Sequence, residues 1–254
     1  MQPPATATAA RAGNRAPGQM RPVLLEPEPS RYAEGSCLAH FGATRVFCTA
    51  TVENRVPPFL HKTGRGWVTA EYGMLPRSTH SRMDRAKTAS GGRTQEISRL
   101  IGRSLRAVTR LDAFGERQIR VDCDVLQADG GTRTAAITGG FVALALAFRH
   151  LKRLGVVTES PLTGAVAAVS CALTPSGALL DPDYAEDSAA LADANFVLAA
   201  GGDIIEIQAT AERAPFAQDR LLEMLALARQ GVTELLAAQQ QALAAAETAG
   251  AAAE

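Results

Sequence analysis

The strongest constraint on the fold is a run of alternating residues that leads through a glycine turn into a long apolar segment. From Gln118 to Gln127, apolar residues at every second position alternate with mostly polar ones, which is typical of a β-strand with one buried face. The run continues into Asp129-Gly130-Gly131-Thr132-Arg133-Thr134 and then into an apolar helix that we expect to end near Gly155. The sequence therefore predicts a strand, a tight turn and a buried helix in direct succession.

The rest of the chain predicts further strands and helices in no regular order. The alternating run Gly35–Glu53 is interrupted at Gly42-Ala43, and Gly201-Gly202 separates two later runs, so both positions favour β-hairpins. The other predicted elements are a helix at Thr94–Leu111, strands near Gly164–Leu173, Asn195–Ala199 and Asp203–Ala209, and helical runs at Pro215–Arg229 and Val232–Ala246. Because βαβα alternation is absent, we predict an α+β fold, with mixed sheets packed with helices and pseudo-duplicated halves.

Length and composition predict one folded domain with short ends of different character. The chain has 254 residues, of which 46% are hydrophobic and 20% charged. Residues 1–10 are expected to be a disordered leader, 11–246 a single domain and 247–254 an Ala-rich tail. The longest apolar run, Phe141–Phe148, is well short of the roughly 18 residues of a membrane helix, and no secretory signal is apparent. We therefore expect a cytoplasmic protein with no membrane partner.

The cysteines and histidines argue against a zinc site or a disulfide framework. The four cysteines are far apart, without a C-x-x-C pair, and each lies in an apolar, strand-like run. The four histidines are equally scattered. We expect the cysteines to be small buried hydrophobic residues.

A net charge of zero conceals a strongly basic segment. Between Arg55 and Arg110 there are twelve Lys or Arg residues and three acidic ones, a local charge of +9. Such a segment is typical of a surface that binds polyanions. Four of its arginines (Arg99, Arg103, Arg106 and Arg110) recur on one side of the predicted helix, where a solvated face or an oligomer contact is the simpler explanation, and Arg99 is the better candidate for RNA.

The turn at Gly130–Arg133 has the composition of a phosphate site. Glycines let backbone N–H groups approach an anion, and a helix N-terminus adds unpaired amides and the positive end of a dipole. Thr132 and Arg133 add a hydroxyl and a guanidinium, and Arg93 follows a second glycine pair at a helix start. The pattern is neither a P-loop nor a dinucleotide fingerprint, and a glycine turn that only begins a helix would look the same.

The segment Asp181–Asp187 concentrates four carboxylates directly after a predicted strand. Mg²⁺ is commonly held by one or two carboxylates, with water and substrate oxygens completing its shell. The glycine and terminal glutamate of a calcium-binding EF-hand loop are absent. An acidic surface turn is the alternative explanation.

Several long motifs resemble the ribonuclease PH family, in the family's order, from about Arg15 to Gln240. The matching runs are Arg15-Ala16-Pro17, Arg21-Pro22-Val23, Thr69-Ala70-Glu71-Tyr72-Gly73-Met74-Leu75-Pro76-Arg77, Gly92-Arg93-Thr94, Arg99-Leu100-Ile101-Gly102-Arg103-Ser104-Leu105-Arg106, Asp122 through Thr134, and Glu186-Asp187-Ser188-Ala189-Ala190. The chain departs from the family at Pro182, where a leucine is usual, and at Gln208-Ala209-Thr210, where Gln-Gly-Thr is more common. The first departure bears on the geometry of the predicted metal site.

The resemblance implies a fold, a reaction and roles for particular residues. The family fold is similar to domain 2 of ribosomal protein S5, and its members form homo-hexamers, as trimers of dimers. The implied activity is phosphorolysis: inorganic phosphate, the co-substrate, removes nucleotides from the 3′ ends of tRNA precursors and other RNA as nucleoside diphosphates. By motif, Arg93, Gly131, Thr132 and Arg133 correspond to the phosphate site, Asp181 and Asp187 to a catalytic pair that binds Mg²⁺, and Arg77, Arg82, Arg85 and Arg99 to arginines that contact tRNA or support assembly.

Two other functions remain open at this point, together with two details of the site. A catalytically silent RNA-binding ring subunit would typically lack the acidic pair or the phosphate arginine, both of which this chain has. A phosphate-activated enzyme acting on a small metabolite would leave the basic segment from Arg55 to Arg110 unexplained. The choice between Mg²⁺ and Mn²⁺, and which aspartate binds the ion and which moves a proton, are not decided by the sequence.

Overall fold

The predicted α+β class is confirmed by a computed structural model, which describes residues 11–212 and 214–253. The predicted leader, residues 1–10, lies outside the described residues, and the division into leader, domain and tail stays a prediction. The described residues form nine strands and five α-helices. The strands are β1 Val23–Pro27, β2 Gly35–Phe41, β3 Thr44–Glu53, β4 Trp67–Met74, β5 Gln118–Gln127, β6 Val166–Thr174, β7 Gly177–Leu180, β8 Ala192–Ala199 and β9 Ile204–Ala211. The helices are α1 Arg85–Ser90, α2 Gly92–Ala107, α3 Thr132–Arg153, α4 Tyr184–Ser188 and α5 Gln218–Ala253.

The strands form two sheets that correspond to the two halves of the chain. The first sheet has the order β1-β2-β3-β5-β4 and is mixed, because β4 runs parallel to β5 while its other pairs are antiparallel. The second has the order β7-β6-β8-β9 and is antiparallel throughout. Both predicted hairpins are confirmed, since Phe41 pairs with Thr44 and β8 pairs with β9 across Gly201-Gly202.

Helix α3 forms the centre of the core and contacts both sheets, packing against β2 and β3 on one side and β6 on the other. Its approach to the first sheet is close, because a Cβ added at Gly139 would lie 2.8 Å from the Cβ of Ala39. By length and composition α3 could cross a membrane, with a mean hydropathy of 1.4, but 89% of that window is buried inside the fold. The uninterrupted apolar run Phe141–Phe148 is thus only part of the buried length of α3. The helix is apolar on all sides because both sheets cover it.

The C-terminal helix differs from its prediction. Instead of two helical runs that separate near residue 230, α5 is continuous and passes through Gly231. A Cβ at Gly231 would lie 3.0 Å from Leu180 Cδ1 and 3.2 Å from Met20 Sδ, so this glycine permits close packing and does not mark a break. Further along, the buried amide of Gln239 donates to the carbonyls of Thr138 and Val166, at 2.9 Å each, which fastens α5 to the core.

Two other segments contain short helices that were not predicted from the sequence. The basic loop after β4 contains the short helix α1, and the acidic segment after β7 contains α4. The cysteines are confirmed as buried and free. Burial raises the pKa of the Cys37 thiol to about 12 and that of Cys171 further still, which leaves both thiols protonated and unreactive near neutral pH.

A buried ion pair fastens the N-terminal segment to the end of β7. The guanidinium of Arg21 donates from Nη2 to Oδ1 of Asp181 at 2.7 Å and from Nε to Oδ2 at 2.9 Å. The backbone N–H of Arg21 also donates to Oδ2 at 2.9 Å. The side chains of Arg21 and Asp181 are only 6% and 0% exposed. Because a buried charge without its partner is costly, this pair stabilises the fold only while both members are present.

Removing one member of this pair should destabilise the protein strongly. We expect Arg21→Met or Asp181→Asn to lower the free energy of unfolding by about 3–5 kcal/mol, and the double variant to lose clearly less than the sum. Urea unfolding followed by circular dichroism measures these differences. Arg220→Ala, which breaks the exposed pair with Glu223, is the control and should cost at most about 1 kcal/mol. Additive losses would show that the two charges do not depend on each other.

Candidate active site

Two consecutive left-handed glycines form the turn between β5 and α3. Gly130 has φ 75° and Gly131 has φ 65°, values that are strained for other residues. Gly131 occupies the N-cap of α3, and no side chain among the described residues caps that helix end. The first-turn amides of α3 therefore face a cleft of about 900 Å³, which the residues of the turn line. This is the geometry in which proteins bind phosphate and similar anions.

Thr132, the first residue of α3, is hydrogen-bonded to a buried tyrosine. The phenol oxygen of Tyr72, on β4, lies 2.8 Å from Oγ1 of Thr132. Burial raises the pKa of this phenol above its ordinary value, although the Thr132 hydrogen bond and the charges of Arg93 and Arg133 oppose the shift. The phenol therefore stays protonated and can donate to Thr132, which leaves the threonine hydroxyl proton for a ligand in the cleft.

Two arginines line the same cleft. Arg133 is anchored through Nη1, which donates to Oε1 of Gln208 at 2.9 Å and lies 3.4 Å from Oε1 of Glu96. Arg93, the second residue of α2, is exposed and also lines the cleft. The structure thus brings together all four predicted phosphate-binding residues, with two positive charges at a helix N-terminus. Their binding role itself stays a prediction.

Helix α4 forms the acidic wall across the cleft. Asp183 begins it with a capping box, in which the Glu186 amide donates to Asp183 and the Asp183 amide donates to Glu186. Asp187, which follows Glu186 in α4, lines the cleft, as does Asp193 on β8. Partial burial and then the like charge of Asp193 raise the pKa of the Asp187 carboxyl above its ordinary value, against the lowering effect of Arg93 and Arg133.

Two N-terminal arginines form ion pairs with Glu186 and so hold α4 in place. Arg11 donates from Nε to Oε1 of Glu186 at 2.7 Å, and Arg15 donates from Nη2 to Oε2 at 3.0 Å. Burial alone would raise the pKa of Glu186, but the Arg11 hydrogen bond, the Asp183 amide and the two arginine charges lower it below the ordinary value. Glu186 is therefore ionised at neutral pH and holds α4 against the N-terminal segment.

Asp181 does not face the cleft, unlike Asp187. Both its carboxylate oxygens accept hydrogen bonds from Arg21, the side chain is fully buried, and its backbone has a left-handed φ of 49°. The same Arg21 guanidinium also donates through Nη1 to the carbonyl oxygen of Asp129, directly before the Gly130–Arg133 turn. Asp181 thus supports the turn through Arg21, and of the two predicted metal-binding aspartates only Asp187 lines the cleft.

A metal ion would find few ligands here without substrate. No group of three His, Cys, Asp or Glu side chains suited to a metal occurs within the described ranges. Asp187 and Asp193 form a pair of neighbouring carboxylates on the wall that faces the basic turn. Such a pair fits Mg²⁺, which in enzymes often takes one or two carboxylates and completes its shell with water and substrate phosphate oxygens.

The predicted RNA-binding arginines lie on the surface around the cleft. Arg77, Arg82, Arg85 and Arg99 are all exposed, and none of them is among the described residues that line the cleft. The neighbours of Arg82 do line it, namely Thr79, His80, Ser81 and Met83. Arg106, by contrast, is used within the fold, since its guanidinium lies 4.3 Å from the centre of the Trp67 ring and donates to the Val68 carbonyl at 2.8 Å.

Sequence reasoning assigned no role to Tyr72, Arg21, Asp193 or Gln208 in the site. Tyr72, Arg21 and Gln208 each come from a segment distant in sequence from the residue that they support. Tyr72 is followed by Gly73 in an alternating strand, where an inward-facing tyrosine is equally well explained as core packing. Asp193 and Asn195, two polar residues in the otherwise apolar strand β8, were the available signal, because polar residues within an apolar strand point to a site. Gln208 gave no such signal, since Glu206 and Thr210 share its face of β9.

Comparison with known proteins places this arrangement in a family. Two models of the 3′ exoribonuclease family match the chain, domain 1 at residues 19–149 and domain 2 at residues 164–231. Ribonuclease PH of Rhodospirillum rubrum is 61% identical over 236 residues, covering 92% of this chain and 98% of the relative. Ribonuclease PH of Methylobacterium radiotolerans is 60% identical over 237 residues, covering 92% and 100%.

Solved structures with low sequence identity share the fold. Rice (Oryza sativa) Rrp46 matches with a TM-score of 0.74 at 18% identity, covering 92% of this chain and all of that one. A chain of the Archaeoglobus fulgidus exosome, solved with RNA bound to the active site, matches with a TM-score of 0.77 at 18% identity, covering 89% and 91%. With both family models matched and the relatives aligned over nearly their full length, the chain belongs to the 3′ exoribonuclease family, among the ribonuclease PH proteins, which are phosphate-dependent 3′→5′ exoribonucleases.

Proposed function

We propose that this protein trims the 3′ ends of tRNA precursors and other RNA in the cytoplasm, with inorganic phosphate bound at the Gly131–Arg133 turn as the nucleophile. The observation that carries the proposal is the cleft itself. It has an uncapped helix N-terminus and two arginines on one wall and the carboxylates of Asp187 and Asp193 on the other. Residues 11–246 act in this proposal as one catalytic unit.

The charges of the reactants explain why this cleft is so basic on one side. Phosphorolysis brings an anion, inorganic phosphate, against the anionic phosphodiester of RNA. At about 4 Å and an effective dielectric constant near 20, each pair of unit charges repels by roughly 4 kcal/mol. Arg93, Arg133 and the amides at the start of α3 offset this repulsion and orient the nucleophile. Since phosphate is already ionised near neutral pH, no strong general base is needed to activate it.

The proposed reaction exchanges one phosphorus–oxygen bond for another. A phosphate oxygen attacks the phosphorus of the last phosphodiester, and the bond from that phosphorus to the ribose 3′ oxygen of the preceding nucleotide breaks. The products are a nucleoside diphosphate and an RNA shorter by one nucleotide, whose new 3′ oxygen takes a proton. The reverse reaction adds nucleotides from diphosphates.

Asp187 is the residue best placed to hold a divalent cation, with Asp193 beside it. A bound Mg²⁺ would neutralise charge that develops on the phosphodiester and the departing oxygen. In this proposal Asp181 is a supporting residue, because its oxygens are engaged by Arg21.

The surface around the cleft supports RNA as the substrate. The exposed arginines Arg77, Arg82, Arg85 and Arg99 are proposed to contact RNA phosphates or a neighbouring subunit. The archaeal relative with RNA in its active site, and the match to an archaeal exosome core, support RNA binding and a ring of related subunits, proposed here as a homo-hexamer built as a trimer of dimers.

The first prediction concerns the nucleophile. RNA carrying extra 3′ residues should release nucleoside diphosphates when phosphate and Mg²⁺ are both present, and almost nothing when phosphate is removed. Thin-layer chromatography of end-labelled products distinguishes diphosphates from monophosphates. Release of monophosphates in phosphate-free buffer would mean that water is the nucleophile.

A second prediction concerns Arg133. Loss of its charge-assisted hydrogen bonds, each contributing about 1.5–3 kcal/mol, should raise the KM for phosphate in Arg133→Ala by roughly 10- to 150-fold. Steady-state kinetics at varied phosphate measures the change. Oligomer size in analytical ultracentrifugation should match the unmodified protein. An altered oligomer with an unchanged KM would assign Arg133 to assembly.

A third prediction separates the two aspartates. Asp187→Asn should abolish activity and weaken Mn²⁺ binding, used as a probe for the divalent site in electron paramagnetic resonance, while thermal stability stays near that of the unmodified protein. Asp181→Asn should lose stability and keep Mn²⁺ binding in the folded fraction. A stable Asp181→Asn protein that no longer binds Mn²⁺ would restore Asp181 as a ligand.

A further inference from the structure

A chain of four polar side chains runs from the surface of α2 to the phosphate turn. Arg103 on α2 donates to both oxygens of Glu206 on β9, at 2.8 and 2.9 Å. Glu206 Oε1 accepts from Nε2 of Gln208 at 3.1 Å, and Gln208 Oε1 accepts from Nη1 of Arg133 at 2.9 Å. Arg133 therefore donates to Gln208 and Gln208 to Glu206, while Arg103 donates from the other side, so the hydrogen bonds converge on the Glu206 carboxylate.

The carboxylate in this chain decides which way the Gln208 amide faces. An amide offers an oxygen on one side and an NH₂ group on the other, and the two ends are similar in shape. The Glu206 carboxylate, paired with Arg103, can only accept hydrogen bonds, so the NH₂ group of Gln208 must face it. The amide oxygen is then fixed toward Arg133, where an acceptor is required.

An amide holds a guanidinium without cancelling its charge. A carboxylate at position 208 would form an ion pair with Arg133 and neutralise the cation that a phosphate needs. Here the negative charge lies on Glu206, which is separated from Arg133 by the Gln208 amide. Glu206 in turn forms an ion pair with Arg103. Glu96 also lies near Arg133, but at a longer 3.4 Å and with its side chain half exposed.

The bond to Gln208 also leaves most of the guanidinium available. Both the Gln208 and the Glu96 contacts use Nη1. Within residues 11–212 and 214–253, neither Nη2 nor Nε of Arg133 takes part in a hydrogen bond, and the side chain lines the cleft. A planar guanidinium held by one nitrogen can present the remaining N–H groups as a fork to two oxygens of one phosphate.

We propose that Gln208 is a positioning residue, oriented by Glu206 and Arg103, that sets the Arg133 guanidinium for inorganic phosphate while leaving its charge intact. The inference rests on the proposed role of Arg133 in binding phosphate and adds how that role is achieved. It also gives a function to Arg103, for which the sequence alone favoured a solvated helix face or an oligomer contact.

Phosphorolysis kinetics with Gln208→Ala, Gln208→Glu and Glu206→Gln test the proposal. Gln208→Ala removes one hydrogen bond to Arg133 and should raise the KM for phosphate by roughly 2- to 12-fold. Gln208→Glu should raise it further, because the new carboxylate neutralises Arg133. Glu206→Gln should give a smaller increase, since the amide of Gln208 is no longer fixed in one orientation. In all three, kcat at saturating phosphate and the KM for RNA should stay within about two-fold.

The decisive measurement is a double-mutant cycle with Arg133→Ala. If Gln208 acts through Arg133, then Gln208→Ala should cause no further rise in the phosphate KM in that background. An equal rise with and without Arg133 would overturn the proposal. A loss of kcat or thermal stability with an unchanged phosphate KM would overturn it as well, because Gln208 would then serve the fold. Gln230→Ala on α5 is the matched control and should leave all three kinetic constants unchanged.

The kinetic results would differ from these if the proposed function itself were wrong. If Arg133→Ala alone leaves the phosphate KM unchanged, then the phosphate site is elsewhere and the assignment of Arg133 is wrong. If Arg133→Ala raises the KM but Gln208→Ala and Gln208→Glu do not, then the phosphate site stands and only the positioning role fails. Isothermal titration with phosphate alone, without RNA, gives the same comparison independently of turnover.

Discussion

The burial of α3 between the two sheets is the constraint on which the rest of the structure depends. A helix that is apolar on all sides must be covered on all sides, and here β2 and β3 cover one side and β6 the other. The glycine at position 139 lets the helix pack closely against the side chains of Ala39 and Cys48 in the first sheet. Because this packing fixes the helix, it also fixes the position of the helix N-terminus and of the Gly130–Arg133 turn.

The Arg21–Asp181 pair extends this fixed geometry to the opposite wall. One guanidinium holds the carboxylate at the end of β7 and the Asp129 carbonyl of the turn, so the turn and the segment leading to α4 are bound to the same group. Arg11 and Arg15 then hold Glu186 within α4. The residues that would meet the substrate are therefore few, and most of the charged residues nearby serve to place them.

Local patterns in the sequence predicted the elements well, and pairwise contacts poorly. The alternation at Gln118–Gln127 matches β5 in both bounds, because a half-buried strand leaves a period of two in its own residues. Gly231 misled the prediction of α5, since a glycine that permits close packing and one that ends a helix are identical in sequence. The roles of Asp181 and Gln208 were equally out of reach: a carboxylate bound by a distant arginine and one free to bind a metal differ only in three dimensions.

The absence of a side chain at position 130 has a consequence for how the two walls of the cleft meet. A Cβ there would lie 2.7 Å from the carbonyl oxygen of Pro182, so the turn before α3 packs directly against the backbone that leads into α4. Any side chain at this position would force these two backbone segments apart, and the cleft between the basic turn and the acidic helix would widen with them.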